Sequence, residues 1–399
     1  MTTPTLEAFL DDARTWLSSI ASPRTTRAWG EGSDSVAVFE NWTAEQERAE
    51  TDRIREYEQA KFDAGFGAIT WGEEYGGRAL PIAYLVAFRR LEDEFDVPRR
   101  TEMFPVTQQL IAPAIAQWGT PEQRERYVRA MVRTDLIACQ LFSETEAGSD
   151  LAAVRTKATR LEDGSWRLDG HKVWTSGAPV ADYGIAVTRT DPDVAKHAGL
   201  TVFIVPMDAP GVEIRPIRQM TGGSSFNEVY LDGVVLSDEY RLGPVDQGWK
   251  VALTVLASER LDSGNLGLEN ADQAIELARN LGRDLDALER DQVADLLTRS
   301  YVQRLTGMRV AAAVVSGQDP GPEASVGKLL ATDTMARTSE VARALLGPEA
   351  SVDSGRWGTW AWTEHILGAP GYRIAGGTDE IQHNIIAERV LGLPREPRP

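Results

Sequence analysis

The segment from Gln140 to Asp150 carries residue types and a spacing that suit ligand binding. It reads Gln-Leu-Phe-Ser-Glu-Thr-Glu-Ala-Gly-Ser-Asp and continues an apolar run that is typical of a β-strand. Where such a strand ends, the turn exposes backbone N–H groups and the hydroxyls of Ser143 and Ser149. These donors match the pyrimidine edge and the phosphates of a flavin. The alternative interpretation is a polar loop that only closes a hairpin.

Helical stretches on both sides of a strand-rich stretch must position this segment. Residues 1–135 have the helical period, and Thr43 with Gln46 predicts a capping box that opens a charged helix. Thr120 and Gln123 repeat that signature with a proline at the first helical position. Residues 136–245 alternate as strands without intervening helices, which predicts an antiparallel sandwich or barrel. The expected strands include 184–187, 200–205, 212–217 and 226–231.

Residues 246–399 return to the helical period. One long helix is predicted from about residue 251 to about residue 281. The last helix is predicted to start after Thr378 and to end at Gly392, before a proline. The chain of 399 residues is long enough for two or three domains.

Composition limits the functions that the chain can have. A formal net charge of −18 without a balancing basic stripe argues against nucleic-acid binding. No run of about 18 apolar residues occurs, so no membrane span is expected. The single cysteine, Cys139, fits a reducing cytoplasm, and acidic residues near the N-terminus argue against a secretory signal. The four histidines lack ligand spacing, so no metal site is predicted.

Three segments of the chain resemble motifs of the acyl-CoA dehydrogenase family. Residues 143–150 resemble its Thr/Ser-Glu-x-x-Ala-Gly-Ser-Asp signature, and Lys172-Val-Trp-Thr-Ser-Gly177 is similar to its Lys-x-Trp-Ile-Thr/Ser-Asn segment. Residues 372–382 are similar to its Glu-Gly-Thr-x-x-Ile-Gln segment. The resemblance covers almost the whole chain and implies an α+β fold. Its expected parts are an N-terminal helical domain (1–135), a central antiparallel β domain (136–245) and a C-terminal helical bundle (246–399).

The resemblance implies FAD as the cofactor. Trp174 would pack on the flavin ring, Ser176 would bond near the flavin N5, and Thr378 would lie where a helix N-terminus meets the flavin or its pyrophosphate. The other residues implied for FAD are Gln140, Phe142, Ser143, Gly148, Ser149, Arg279 and Glu380. No Gly-x-Gly-x-x-Gly follows a strand, so a Rossmann nicotinamide site is not expected.

Oxidation of a thioester between Cα and Cβ needs a base, a hydride acceptor and donors to the enolate-like oxygen. Many family members carry the base at the position of Gly376, which has no side chain here. The resemblance leaves the Gly376 N–H as an oxyanion donor and points to Glu259, in a Glu-Arg pair similar to that of isovaleryl-CoA dehydrogenase, as the base. A glutamate that only bonds a neighbouring arginine is the alternative. Arg260 would bind CoA or only balance charge.

Other positions concern the substrate and the assembly. Ser149, Asn227 and Gly377 are implied as contacts to the acyl-CoA, and the missing side chain at Gly376 predicts room for a branched, cyclic or otherwise bulky acyl group. Homotetrameric relatives complete the FAD site with an arginine and a glutamine from a neighbouring subunit. Here the arginine is displaced by one place, to Arg279, and the glutamine is absent, as expected for a subunit of a mixed assembly.

The leading hypothesis is therefore an FAD-dependent acyl-CoA dehydrogenase of fatty-acid β-oxidation that forms the trans-2-enoyl thioester. Its electrons would pass to an electron-transferring flavoprotein or a similar acceptor, in the cytoplasm. The chain would form a homotetramer, or a heterotetramer with a paralogous subunit. The alternatives are a non-catalytic or half-catalytic subunit of such a heteromer, and a flavin-dependent acyl-CoA oxidase.

Overall fold

The computed structural model describes residues 3–262, 266–318 and 321–395, without the side chains of residues 258–262. The chain divides into two compact units. The first unit takes the residues up to Thr25 together with Trp42–Gln219 and Ser224–Glu259. The second unit takes Thr26–Asn41, Met220–Gly223 and the residues from Arg260 onward.

Two helical segments of the first unit begin at the capping residues that the sequence predicted. Thr43 and Thr120 each accept a hydrogen bond from the backbone N–H three residues ahead, and the side-chain oxygens of Gln46 and Gln123 each accept one from the backbone N–H of the cap, so both predicted capping boxes are confirmed. The helices that begin in this unit are α1 (Leu6–Ile20), α2 (Ala44–Asp63), α3 (Ile82–Glu92), α4 (Met103–Pro105), α5 (Ala112–Trp118), α6 (Pro121–Gln123), α7 (Arg129–Arg133) and α8 (Gly248–Asp262). Two π-helical stretches, Val106–Ile111 and Arg124–Val128, continue α4 into α5 and α6 into α7.

The strands of the first unit form one sheet of eight strands in the order β6-β7-β3-β2-β4-β5-β8, with β1 beside β4. They are β1 (Ala138–Leu141), β2 (Lys157–Arg160), β3 (Trp166–Ser176), β4 (Tyr183–Arg189), β5 (Leu200–Pro206), β6 (Val212–Ile217), β7 (Phe226–Leu236) and β8 (Arg241–Leu242). The four predicted strands are confirmed as β4 to β7. Of these, β4 pairs antiparallel with β5 and β6 pairs antiparallel with β7, whereas β1 and β2 both pair in parallel with β4.

The parallel strand β1 carries the chain out of the helical part and into the Gln140–Asp150 segment. Thr107, in the π-helical stretch after α4, fixes its start: its Oγ1 accepts from the Ala138 N–H at 2.9 Å and lies 3.2 Å from the Ala138 carbonyl. Apolar residues on one side of the sheet pack with the helices, and those on the other side form a second core around Trp166 and Phe203. The turn that follows β1 is thus held by a strand buried on both faces.

The second unit is a helical bundle. Its helices are α9 (Leu268–Arg279), α10 (Ala287–Val315), α11 (Ala324–Leu346), α12 (Trp362–Tyr372) and α13 (Asp379–Ile385), which continues as a π-helical stretch, Ile386–Val390. Its core contains Trp362 together with apolar residues of α9, α10 and α11. The α+β fold with an N-terminal helical part, a mainly antiparallel β part and a C-terminal bundle is confirmed.

One predicted helix was wrong. The sequence predicted a single helix from about 251 to about 281, but the structure has α8 ending at Asp262 and α9 starting at Leu268. Gly267 caps α9 with a φ of +75°, in the left-handed region that favours glycine and that a continuous α-helix excludes. The apolar period of the two helices is similar, so periodicity alone joined them.

Candidate active site

The Gln140–Asp150 segment is closed by its own glutamate. Residues Glu144 and Ala147 exchange two backbone hydrogen bonds, of 3.1 and 3.0 Å, which make a tight turn after β1. The Glu144 carboxylate accepts from the backbone N–H groups of Arg155 at 2.6 Å and Thr156 at 2.9 Å. The turn is thereby fastened to the start of the next strand, with Gly148 and Ser149 exposed on its outer side.

Lys172 joins this turn to the second predicted flavin motif. Its side chain is fully buried, and Nζ donates to Glu144 Oε1 at 2.9 Å, to the Val187 carbonyl at 2.6 Å and to the Phe142 carbonyl at 3.0 Å. Burial of the ammonium lowers the pKa of Lys172 to about 8. Burial works against ionisation of Glu144 too, but the Lys172 ammonium and the hydrogen bonds outweigh it and hold the pKa of Glu144 below its usual range. Their contact favours the ionised form of each group.

Trp174 is presented outward by an irregularity in β3. The register between β3 and β7 shifts between Lys172 and Thr175, as in a β-bulge, and Trp174 has a φ of +61°. A β-bulge redirects a side chain. A left-handed backbone at a bulky residue costs free energy, and such strained residues occur mostly at functional sites. The ring is 59% exposed and touches Phe226 by its edge, at 6.0 Å between centroids. The Val173 N–H donates to the Ser143 carbonyl at 3.0 Å, so the two motifs lie side by side.

The residues of the first unit fit a flavin. Trp174 offers an exposed aromatic face next to the Ser143 turn, and the side-chain nitrogen of Gln140 is buried without a hydrogen-bond partner among the described residues. Phe142 is buried beneath the turn, and Ser176 is half-buried with its hydroxyl 3.4 Å from a Glu102 oxygen. A flat apolar surface beside unused polar groups is what an isoalloxazine ring requires.

The third motif forms a loop between α12 and α13 in the second unit. Gly376 and Gly377 have φ values of +62° and +85°, in the left-handed region that glycine tolerates. Thr378 caps α13, and its side chain accepts from the Ile381 N–H at 3.2 Å. Among the hydrogen bonds of the described residues, none is donated by the N–H of Gly376, Gly377 or Thr378. Three unused donors thus precede a helix N-terminus, the arrangement that binds anionic oxygens.

A buried ionic network fixes the ends of this loop. The Asp379 carboxylate, 6% exposed, accepts from Lys328 Nζ at 3.0 Å, Thr332 Oγ1 at 3.1 Å and Arg373 Nε at 2.8 Å. Burial opposes its ionisation, but the hydrogen bonds from Arg373 and Lys328 outweigh it and lower the pKa of Asp379. Gln382 closes the loop from inside, because its Nε2 donates to the Gly376 carbonyl at 2.9 Å.

The other predicted site residues have different surroundings. Glu259 and Arg260 belong to α8, but their side chains lie outside the described residues. Arg279 is exposed and pairs with Glu276 one turn earlier, and Glu380 is exposed in the first turn of α13. Asn227 is 2% exposed, and its Nδ2 donates to the Thr175 carbonyl at 3.1 Å. Its side chain is buried, and its contact with the substrate stays a prediction.

Two pairs of functional side chains went unnoticed in the sequence. Glu144 and Lys172 each stand inside a predicted flavin motif, and Asp379 stands inside the third, but their mutual contacts depend on tertiary structure. The available signal was a lysine directly before two apolar residues, Lys172-Val-Trp, because a charged residue that is buried in a strand needs a partner. Lys328, on α11, carried no comparable signal.

Comparison with known proteins assigns almost the whole chain to a single protein family. Models of the acyl-CoA dehydrogenase N-terminal, middle and C-terminal domains match residues 4–135, 139–234 and 246–391. FadE34, an acyl-CoA dehydrogenase of Mycobacterium tuberculosis, is 40% identical over 84% of this chain. The match takes 45% of FadE34, so the chain spans about half the length of that relative.

Two solved structures resemble nearly the whole chain. A variant of the Tcur3481-Tcur3483 steroid ACAD has a TM-score of 0.74 and 26% identity, over 98% of this chain and 99% of that one. The ChsE4-ChsE5 complex from Mycobacterium tuberculosis has a TM-score of 0.73 and 25% identity, over 99% of each chain. No helix of the described residues is long and apolar enough to cross a membrane.

Proposed function

Because this chain belongs to the acyl-CoA dehydrogenase family, we propose that it uses FAD to oxidise an acyl-CoA thioester to the trans-2-enoyl-CoA. The observation that carries the proposal is the exposed Trp174 beside the Ser143 turn, fixed by the Lys172–Glu144 pair. Two motifs that each suit a flavin are held together by a fully buried ammonium, which costs free energy to bury unless it is well paired. FAD, when bound, accepts the hydride that leaves Cβ.

The chain's own residues have three tasks in this proposal. Glu259 takes the α proton, because the oxidation needs a general base at this carbon. The N–H of Gly376 donates to the thioester oxygen as negative charge develops on it. Flavin binding is assigned to Trp174, Ser143, Ser149, Ser176 and Thr378, and further contacts with FAD are assigned to Gln140, Phe142, Gly148, Arg279 and Glu380.

The test of the base is the substitution Glu259→Gln. We expect at least about a thousandfold loss of turnover, because proton abstraction then lacks its acceptor, with unchanged flavin absorbance per chain. Glu340→Gln is the matched control: it is a helical glutamate that pairs with Arg337 on the surface, and its loss is expected to leave turnover unchanged. Near-normal turnover of the Glu259 variant would remove Glu259 as the base.

The acyl group is proposed to be bulky, which rests on Gly376 and on one similar structure. No side chain projects from Gly376, and the similar protein is a steroid ACAD. An acyl-CoA panel that compares straight chains with branched and ring-bearing acyl groups checks this point. We expect kcat/KM to be at least about tenfold higher for the ring-bearing group, the difference that a well-filled apolar pocket supplies. A preference for straight chains would contradict the proposal.

A mixed assembly is the second candidate, in which a paralogous subunit completes the FAD site. Arg279 is turned to Glu276, and α10 exposes an apolar face of Leu297, Tyr301, Leu305 and Met308 that suits subunit contact. The ChsE4-ChsE5 complex is a two-protein relative. Purification of the chain alone and together with a paralogue, with flavin absorbance and mass recorded each time, separates a heteromer from a homotetramer. A chain that is colourless alone and yellow with its paralogue favours the heteromer. A yellow homotetramer excludes it.

The electron acceptor and the site of action complete the proposal. Electrons pass to an electron-transferring flavoprotein or a similar acceptor, and the reaction takes place in the cytoplasm. Peroxide formation without an added acceptor would indicate a flavin-dependent oxidase instead, since oxygen would then take the electrons.

A further inference from the structure

A strap from Thr26 to Asn41 belongs to the second unit, although the chain before and after it belongs to the first. Trp29 anchors its start by an edge contact with Trp357, at 4.4 Å between ring centroids. Val36 anchors its middle: its side chain is 5% exposed in the core of the bundle, and its carbonyl accepts from Asn270 Nδ2 at 3.2 Å. The strap is therefore a packed part of the bundle.

The last part of the strap, Val38–Asn41, runs along one face of α12. Asn41 Nδ2 donates to Glu364 Oε1 at 2.9 Å, in the first turn of that helix. One turn later, a Cβ on Gly368 would lie 3.1 Å from Val38 Cβ, and a Cβ on Gly371 would lie 3.0 Å from Phe39 Cε2. The two glycines thus give α12 a flat surface that accepts the strap closely.

Phe39 covers the end of α12. Its ring stacks on that of Tyr372, with centroids 5.2 Å apart and parallel planes at 0°. Ile374 and Ala375 both donate their backbone N–H to the Gly371 carbonyl at 3.1 Å. The direction of the next N–H group, that of Gly376, is thereby tied to the peptide against which Phe39 packs.

We propose that Phe39 is a positioning residue, which fixes the Gly376 N–H through Tyr372 and the Gly371 peptide. The inference deepens the proposed function, on which its catalytic part rests. The strap and the Asp379 network hold the two ends of the same loop: Phe39 secures the side of α12, and Asp379 secures the side of α13. Oxyanion donors act in the transition state, so misplacement of this N–H lowers kcat while KM changes little.

The test compares Phe39→Ala with Phe39→Leu, which keeps most of the apolar volume, and with Leu296→Ala. Leu296 is fully buried in the same bundle core, on α10, so its loss destabilises the bundle while every side chain of the strap and of α12 is kept. Amide hydrogen exchange of Ile374 and Ala375, whose N–H groups donate to the Gly371 carbonyl, is measured in each protein, together with kcat and KM for the best substrate of the acyl-CoA panel.

For Phe39→Ala we expect about tenfold faster exchange at Ile374 and Ala375 and about a tenfold lower kcat, with KM within about threefold. The Leu variant should recover most of both, and Leu296→Ala should show neither. Equal exchange in the Phe39 and Leu296 variants would overturn the positioning role, as would faster exchange with an unchanged kcat. A parent protein without turnover on any acyl-CoA would refute the proposed function, while the exchange comparison still decides whether Phe39 orders the loop.

Discussion

Replacement of Trp174 by glycine separates a functional role of this residue from a structural one. A fully buried tryptophan removes about 150–250 Å² from water, so a ring that is 59% exposed removes about 60–100 Å². At about 25 cal/mol per Å², its loss costs about 1.5–2.5 kcal/mol. Relief of the left-handed backbone, at a φ of +61°, returns about 1–2 kcal/mol, and the added freedom of glycine in the unfolded chain costs about 0.5–1 kcal/mol. The expected net loss of unfolding free energy is about 1 kcal/mol.

Trp166, on the same strand, supplies the matched control. It is 3% exposed, and its Nε1 donates to Asp238 Oδ1 at 2.7 Å. Trp166→Ala should cost about 3–5 kcal/mol, as for other buried tryptophans. Urea unfolding followed by circular dichroism measures both losses, and the flavin absorbance per chain measures the cofactor.

The combination of results decides the role of Trp174. We expect Trp174→Gly to lose most of its flavin while it keeps most of its stability, and Trp174→Phe to retain flavin because an aromatic face remains. A loss of stability as large as that of Trp166→Ala would show that Trp174 is a packing residue. A full flavin content in the glycine variant would equally refute the proposed stacking.

Three further predictions concern buried titratable groups. Lys172→Met should lower the unfolding free energy by about 3–5 kcal/mol, since Glu144 loses its counter-charge. The double variant Lys172→Met/Glu144→Gln should lose less unfolding free energy than the sum of the two single variants, as measured by denaturant titration. Asp379→Asn should cost about 3 kcal/mol and speed amide exchange at Ile374 and Ala375, whereas unchanged exchange would contradict a fixed loop. Burial lowers the pKa of His365 to about 4 from its usual value of 6.5. Between these two pH values the imidazole binds a proton in the unfolded chain but not in the folded chain. Stability should therefore fall by up to about 3 kcal/mol as the pH drops from about 6.5 to about 4, and His365→Gln should flatten this part of the profile.

The sequence predicted features that depend on residues close together along the chain. Capping boxes join residues three apart, and strands β4 to β7 show in their apolar runs, so both were found. The third motif also marked the helix start that Thr378 caps. Such signals are local, and local preferences agree with the fold here.

Contacts between residues far apart along the chain were not predicted from the sequence. Lys172 and Glu144 are 28 residues apart, and Asp379 and Lys328 are 51 apart, so only the folded sheet and bundle bring them together. The break between α8 and α9 was missed because the apolar period on both sides is the same. The left-handed φ of Trp174 was unpredictable for another reason: aromatic residues rarely adopt it, so no sequence preference announces it.

The strap has a consequence for the order in which the protein folds. Asn41 and Glu364 are separated by 323 residues, so the bundle cannot complete its core until nearly the whole chain has been synthesised. Contacts of such sequence separation are slow to form, and until then Val36 and Phe39 remain without their partners. A fragment that begins at residue 260 would also lack both side chains. The second unit is therefore not an independent module, and cutting this chain at one linker would yield two incomplete pieces.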